Sequence, residues 1–325
     1  MQGNEEKKHN IRGHKILLAS VLCLFGFCLL AQKPVQNKQS RPQQEAKVQA
    51  PKKQQAKSKV YLIHSDMLRK DSRHPDAQVV TGNVVFRHDS VYMYCDSAYY
   101  YDKLGSFEAF SNVKMNQGDT LFLYGDRLYY DGNTQIAEVR NNVRMENRNT
   151  TLLTDSLNYD RVYNLGYFFD GGTLMDEQNV LTSEWGQYNP GTKQSVFNYN
   201  VKLVNPQFTL TSDTLEYNTA SKIANIVGPS DILSDNNHIY SEKGTYNTVT
   251  GKAYLLDRSV LTNEGKQLTG DSLFYDRNEG LGEAFRNMVL TDTVNKNMMT
   301  GEYGYYNEKK KYAFATDKAV AVDYS

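Results

Sequence analysis

Proline occurs 7 times, cysteine 3 times and tryptophan once in 325 residues. Each scarcity excludes something. Few prolines beside abundant strand formers favour extended over helical structure. Two cysteines, Cys23 and Cys28, lie in an N-terminal apolar segment. Once that segment is removed, Cys95 stands alone in the body and no intramolecular disulfide can form there. It occupies a repeat position filled elsewhere by Gly, Ser or Thr, as a small strand residue would. No long stretch carries a 3.6-residue apolar period, so helices are expected to be minor. The body histidines His64, His74, His88 and His238 are scattered without metal-ligand spacing, and no nucleophile elbow or phosphate loop appears. We therefore expect no enzyme, no catalytic residue, no metal and no cofactor.

Net charge is also absent, 37 Lys and Arg against 37 Asp and Glu, but the balance conceals an asymmetry. Residues 1–59 hold 12 basic against 3 acidic side chains, leaving 25 against 34 in the remainder. A body with nine excess acids argues against nucleic acid as a partner, since phosphate binding needs a basic surface.

Lys7, Lys8, Arg12 and Lys15 precede an apolar run from Ile16 to Ala31. Sixteen helical residues reach about 24 Å, short of the ~30 Å hydrocarbon core. Residues 1–31 thus read as a signal peptide cleaved after Leu29-Leu30-Ala31, with an uncleaved anchor as the alternative. Residues 32–59, rich in Gln, Lys and Pro, have little to bury and read as a disordered basic linker. Residues 60–325 form the exported body.

What that body has is tyrosine, 24 in all, and a repeat. An acidic residue recurs with a Tyr four positions later: Asp96 and Tyr100, Asp126 and Tyr130, Asp155 and Tyr159, Glu184 and Tyr188, Asp213 and Tyr217, Glu242 and Tyr246, Asp271 and Tyr275, Glu302 and Tyr306. The acids are spaced 30, 29, 29, 29, 29, 29 and 31 residues apart. Eight units of about 29 residues imply about sixteen mostly antiparallel strands, two per unit, preceded by a half-unit near residues 60–90. Within each first strand the acid, an apolar or Gly position and the Tyr share one face. An Asp or Asn then opens a polar turn. The second strand runs from a small residue to an Asn-Val pair such as Asn112-Val113. The unit beginning at Asp155 departs, with Gly171-Gly172 in place of Asn-Val, where a bulge or widened groove is expected.

A unit of the form small-Asp-x-Leu-x-Tyr-Asp, turn, Ala-x-x-x-Asn-Val-x-Leu, eight times in phase behind an export signal, resembles the OstA-like (LptA) family. That family includes the periplasmic bridge protein of lipopolysaccharide transport and the N-terminal domain of its outer-membrane partner. The resemblance covers residues 60–325. It implies an elongated all-β repeat jellyroll, V-shaped in section, located in the periplasm. It also implies lipopolysaccharide or a related glycolipid as ligand, and association with other transport jellyrolls, or with itself, by adding strands at a sheet edge. Acyl chains would lie against Val84, Val113, Leu128, Val143, Leu157, Val201, Leu215, Leu273 and Val289 while sugars stay in water. The residues alone leave open whether this stripe lines a groove or fills a sandwich core; Gly186, Gly244 and Gly304 suggest uneven filling. The recurring acids and tyrosines read as structural, because a catalytic carboxylate pair must be singled out by its environment and these repeat alike. Two other classes remain: a structural or adhesive surface scaffold with a solid interior, and a polysaccharide-active β-repeat enzyme. The enzyme would need one atypical unit with clustered acids, which the Gly171-Gly172 unit lacks.

Overall fold

Strand formers alternating in and out over runs of ten to twelve residues, with turn formers between, build one antiparallel sheet. The computed structural model describes residues 58–324 except Arg258. The expected signal segment 1–31 and all of the linker except Ser58 and Lys59 fall outside these. The sheet has 24 strand segments and the described residues contain no helix. Six pairs of short segments continue each other across a bend, for example Lys266–Thr269 into Ser272–Asp276, so the chain crosses the sheet 18 times rather than sixteen. The two additional crossings are Tyr61–Asp71 and His74–His88, a full first unit where half of one was expected. Asp66 holds its acid position, but Lys70 stands where the Tyr would be, which hid the unit from a search on the acid–Tyr pair.

Every crossing bends in the middle. Between Ser106–Gln117 and Leu121–Asp131 the register runs Phe110 to Arg127, then Val113 to Gly125, so Ser111 and Asn112 together face Asp126. This two-against-one bulge turns the strand. Both residues on its longer side are left-handed, with φ of 61° and 51°. Gly82-Asn83, Asn141-Asn142, Tyr199-Asn200 and Arg286-Asn287 repeat it. Asn tolerates that conformation better than most residues, which accounts for the Asn of the Asn-Val motif. In the divergent unit Gly171 takes the bend at φ 81°.

The bend divides the sheet into two walls. On the first, the Asp or Asn after six of the tyrosines, Tyr130 to Tyr275, accepts a backbone hydrogen bond two residues on, as Asp131 does from Asn133 at 2.8 Å and Asn189 from Gly191 at 2.9 Å. These Asx turns close the hairpins. The second wall carries the tighter turns. Alternate side chains of both walls enter a single apolar cluster running from Val60 to Tyr306.

Candidate functional site: the seam between the walls

From the bend outward, the interior changes in three steps. Nearest the bend, one wall offers small residues, Cys95, Gly125, Thr154, Ser183, Ser212 and Ser241, against Val84, Val113, Val143 and Val201. Where Val gives way to Ser230 and Ser259, their hydroxyls donate to those of Ser212 and Ser241, each at 2.8 Å. Burial pushes the Cys95 thiol up to about 12, so almost none is thiolate near neutral pH. Cys95 is therefore expected to resist a neutral alkylating reagent in the folded chain and to react fully in concentrated urea, as read by intact mass.

The apolar stripe spans this first step and the middle one. Val84, Val113, Leu128, Val143, Leu157, Val201, Leu215 and Leu273 are all within 3% of full burial. Val289 differs: it is half-buried and faces outward, and Met288, directly after Asn287, takes the inner place at 1% exposure. The Asn, not the Val, sets the register. The glycines that suggested uneven filling are covered by neighbours. A Cβ on Gly186 would lie 2.5 Å from the Phe168 ring, and one on Gly304 would lie 2.6 Å from Met288. At Gly244 the obstacle is the Tyr254 carbonyl, at 2.5 Å. Gly171-Gly172 opens no interior space either; the trough there, about 500 Å³, is lined by outward residues such as Asn142, Arg144 and Asp170.

Farthest from the bend, the walls meet along a polar seam. One side is the tyrosine ladder: Tyr130, Tyr159, Tyr188, Tyr217, Tyr246 and Tyr275 are fully buried, with Tyr100 and Tyr306 nearly so. The other side is a second ladder at the same period, which the sequence reading missed: His88, Gln117, Asn147, Asp176, Asn205, Ser234, Asn263 and Asp292. Each ends its strand half just before a turn. Tyr188 donates to Asn147 at 3.2 Å and Tyr217 to Asp176 at 2.8 Å. His88 Nδ1 accepts from Tyr130 at 2.6 Å and from Arg161 at 3.0 Å. Burial and then the Arg161 charge lower the His88 pKa, keeping the ring neutral. Asp176, 1% exposed, also receives Lys222 Nζ at 2.8 Å on each oxygen. At the N-terminal end Tyr100 donates to the Val60 carbonyl at 2.9 Å. Burial raises the hydroxyl pKa of Tyr130 and Tyr246 to about 12, so they remain donors at any ordinary pH.

The acid ladder lies elsewhere, on the outer side of the bend. Each acid is the single residue facing a two-residue bulge, and where an Asn of the following strand holds that corner the carboxylate accepts from it. Asp96 is held by Asn112 at 2.7 Å, Asp126 by Asn142 at 2.6 Å and Asp271 by Asn287 at 3.1 Å. Asp66 and Asn83 do the same at 2.9 Å. Glu184 pairs with Asn200, and in the last unit Lys318 replaces Asn in holding Glu302, at 3.1 Å. Asp155 accepts the Asn142 backbone N–H at 3.3 Å. No group of three or more His, Cys, Asp or Glu converges among the described residues.

A family model described as OstA-like protein matches residues 57–213 and 209–271. The chain belongs to the OstA-like family. Among solved structures, this OstA-like chain is similar to LptH from Pseudomonas aeruginosa, described as the LptA-homologous periplasmic component of the lipopolysaccharide transport device. The two are 12% identical, with 46% of this chain and 98% of LptH covered at a TM-score of 0.24. No curated protein matches.

Proposed function

We propose that this OstA-like protein is a periplasmic carrier of lipopolysaccharide or a related glycolipid in outer-membrane assembly, holding acyl chains between its walls. The observation that carries the reading is how the walls are joined. At the bend every strand passes covalently from one wall to the other, whereas at the seam only hydrogen bonds, ion pairs and ring contacts connect them. A sheet so built hinges at the bend and parts at the seam. Each seam hydrogen bond contributes about 1 kcal/mol net, while each buried acyl methylene gains about 0.8 kcal/mol. An entering chain exchanges wall-to-wall apolar contact for wall-to-lipid contact, so the seam is the main term it must overcome. Once parted, the tyrosine hydroxyls and the Asn and Asp side chains would face sugar and phosphate at the water boundary. Sheet edges at both ends of the strand order suit the addition of other transport jellyrolls or of a second copy.

The closed seam and filled interior favour a second reading, a structural surface scaffold. Photo-methionine separates the two. Met93, Met115 and Met145 lie inside at 1% exposure, whereas Met67 is 57% exposed. The carrier reading expects glycolipid cross-linked at the three inner positions and not at Met67 after expression in the native host. Absence of lipid from the inner positions, with the fold intact, would leave the scaffold.

A further inference from the structure

The outward row of the first wall carries one constellation twice, six units apart. In the first copy Glu108 lies between Tyr99 and Tyr129 on the flanking strands, and Phe110 lies opposite Arg127. Arg127 fills it: its guanidinium donates to Glu108 at 2.7 Å and sits 5.5 Å from the centre of the Phe110 ring. In the second copy Glu283 lies between Phe274 and Tyr305, and Phe285 lies opposite Tyr303. The carboxylate and the rings are kept, but the arginine has become a tyrosine. Tyr303 donates to one Glu283 oxygen at 2.6 Å. The neighbouring trough, about 460 Å³, is lined by Tyr254, Leu256, Phe274, Glu283 and Phe285.

Several outward rings elsewhere are capped by the chain's own cations, although others among the described residues, such as Tyr163 and Tyr199, are not. Arg144 covers Tyr124 at 4.3 Å, Lys114 covers Phe122 at 5.5 Å and Arg140 covers Phe169 at 5.6 Å. Among the described residues no Lys or Arg stacks on Tyr254, Phe274, Phe285 or Tyr303, and none pairs with Glu283. A carboxylate amid electron-rich ring faces attracts a cation and repels an anion. We propose that this trough receives an arginine side chain from a partner protein, which approaches Glu283 and Phe285 from the Phe274 side and does for them what Arg127 does for Glu108 and Phe110. The guanidinium would donate to the free Glu283 oxygen and stack on Phe285, with Tyr254 and Phe274 closing over its stem. The inference is independent of what lies between the walls.

The probe is a short glycine-flanked arginine peptide, with the uncharged citrulline peptide as its isosteric control. Binding is followed through ring-proton shifts and calorimetry on the folded chain. The arginine peptide should bind saturably and the citrulline peptide at least about tenfold more weakly. Glu283→Gln should cost a similar factor. Tyr303→Arg should abolish binding by supplying the guanidinium from within, and Arg127→Ala should create a second site by emptying the first copy. All three side chains lie on the outer face, and circular dichroism verifies the fold. Equal binding of both peptides, or arginine binding unchanged in Glu283→Gln and Tyr303→Arg, would overturn the proposal.

Discussion

Asp176→Ala is expected to lower the unfolding free energy by about 3–5 kcal/mol, the usual consequence of leaving one partner of a buried ion pair alone. Asp176 joins both walls, since Lys222 and Tyr217 reach it from the other side of the seam. Burial alone would lower the Lys222 pKa, yet its bonds to Asp176 and Glu177 hold it above the usual lysine value. Without the carboxylate, the Lys222 ammonium, its side chain 15% exposed, keeps only the exposed Glu177. The Tyr217 hydroxyl loses its acceptor too. Replacing both charges, as in Asp176→Leu with Lys222→Met, should recover most of the loss, because burying a charge pair costs nearly what the pair returns. Urea unfolding followed by tyrosine fluorescence reads all three chains. A single-variant loss under about 1 kcal/mol would mean that the seam is already open in solution.

Leu157→Ala is the second large effect, about 3 kcal/mol lost in the lipid-free chain. Leu157 is fully buried between Val139 and Phe168 on the strands beside it. Truncation of such a leucine removes transfer energy and leaves a cavity. The outward-facing Leu153, 36% exposed, serves as control, and its alanine variant should stay within about 0.5 kcal/mol of the parent. If Leu157 lined an open, solvated groove, the two variants would behave alike. Denaturation of the two chains stripped of lipid thus reports whether the seam is closed at rest.

How much of this was legible in the sequence depended on how uniform each column is. The acid column is always Asp or Glu and the tyrosine column is invariant from Tyr100 to Tyr306, so both stood out at their period. The all-β class and the jellyroll assignment followed from them. The seam's other side is filled by His, Gln, Asn, Asp and Ser, which share only a polar group able to meet a hydroxyl. No identity search finds such a column, although a polar residue one step before each turn, at the same period, was its trace. Val289 was misplaced because Val seemed the fixed member of the Asn-Val pair. Backbone conformation constrains the Asn far more than packing constrains the residue after it, and Met288 serves as well as Val. The choice between groove and core could not be read at all, since both require the same apolar side chains.

The order in which strands pair bears on how the chain can fold. Every crossing bonds to the one before it, and the seam tyrosines Tyr188 and Tyr217 find their partners 41 positions earlier. A growing end therefore never waits for distant sequence: each newly delivered hairpin can dock on a finished one, and roughly one and a half units of fresh chain complete a ring of contacts. Such a body can assemble vectorially behind its own N-terminus, exposing one unpaired strand at a time.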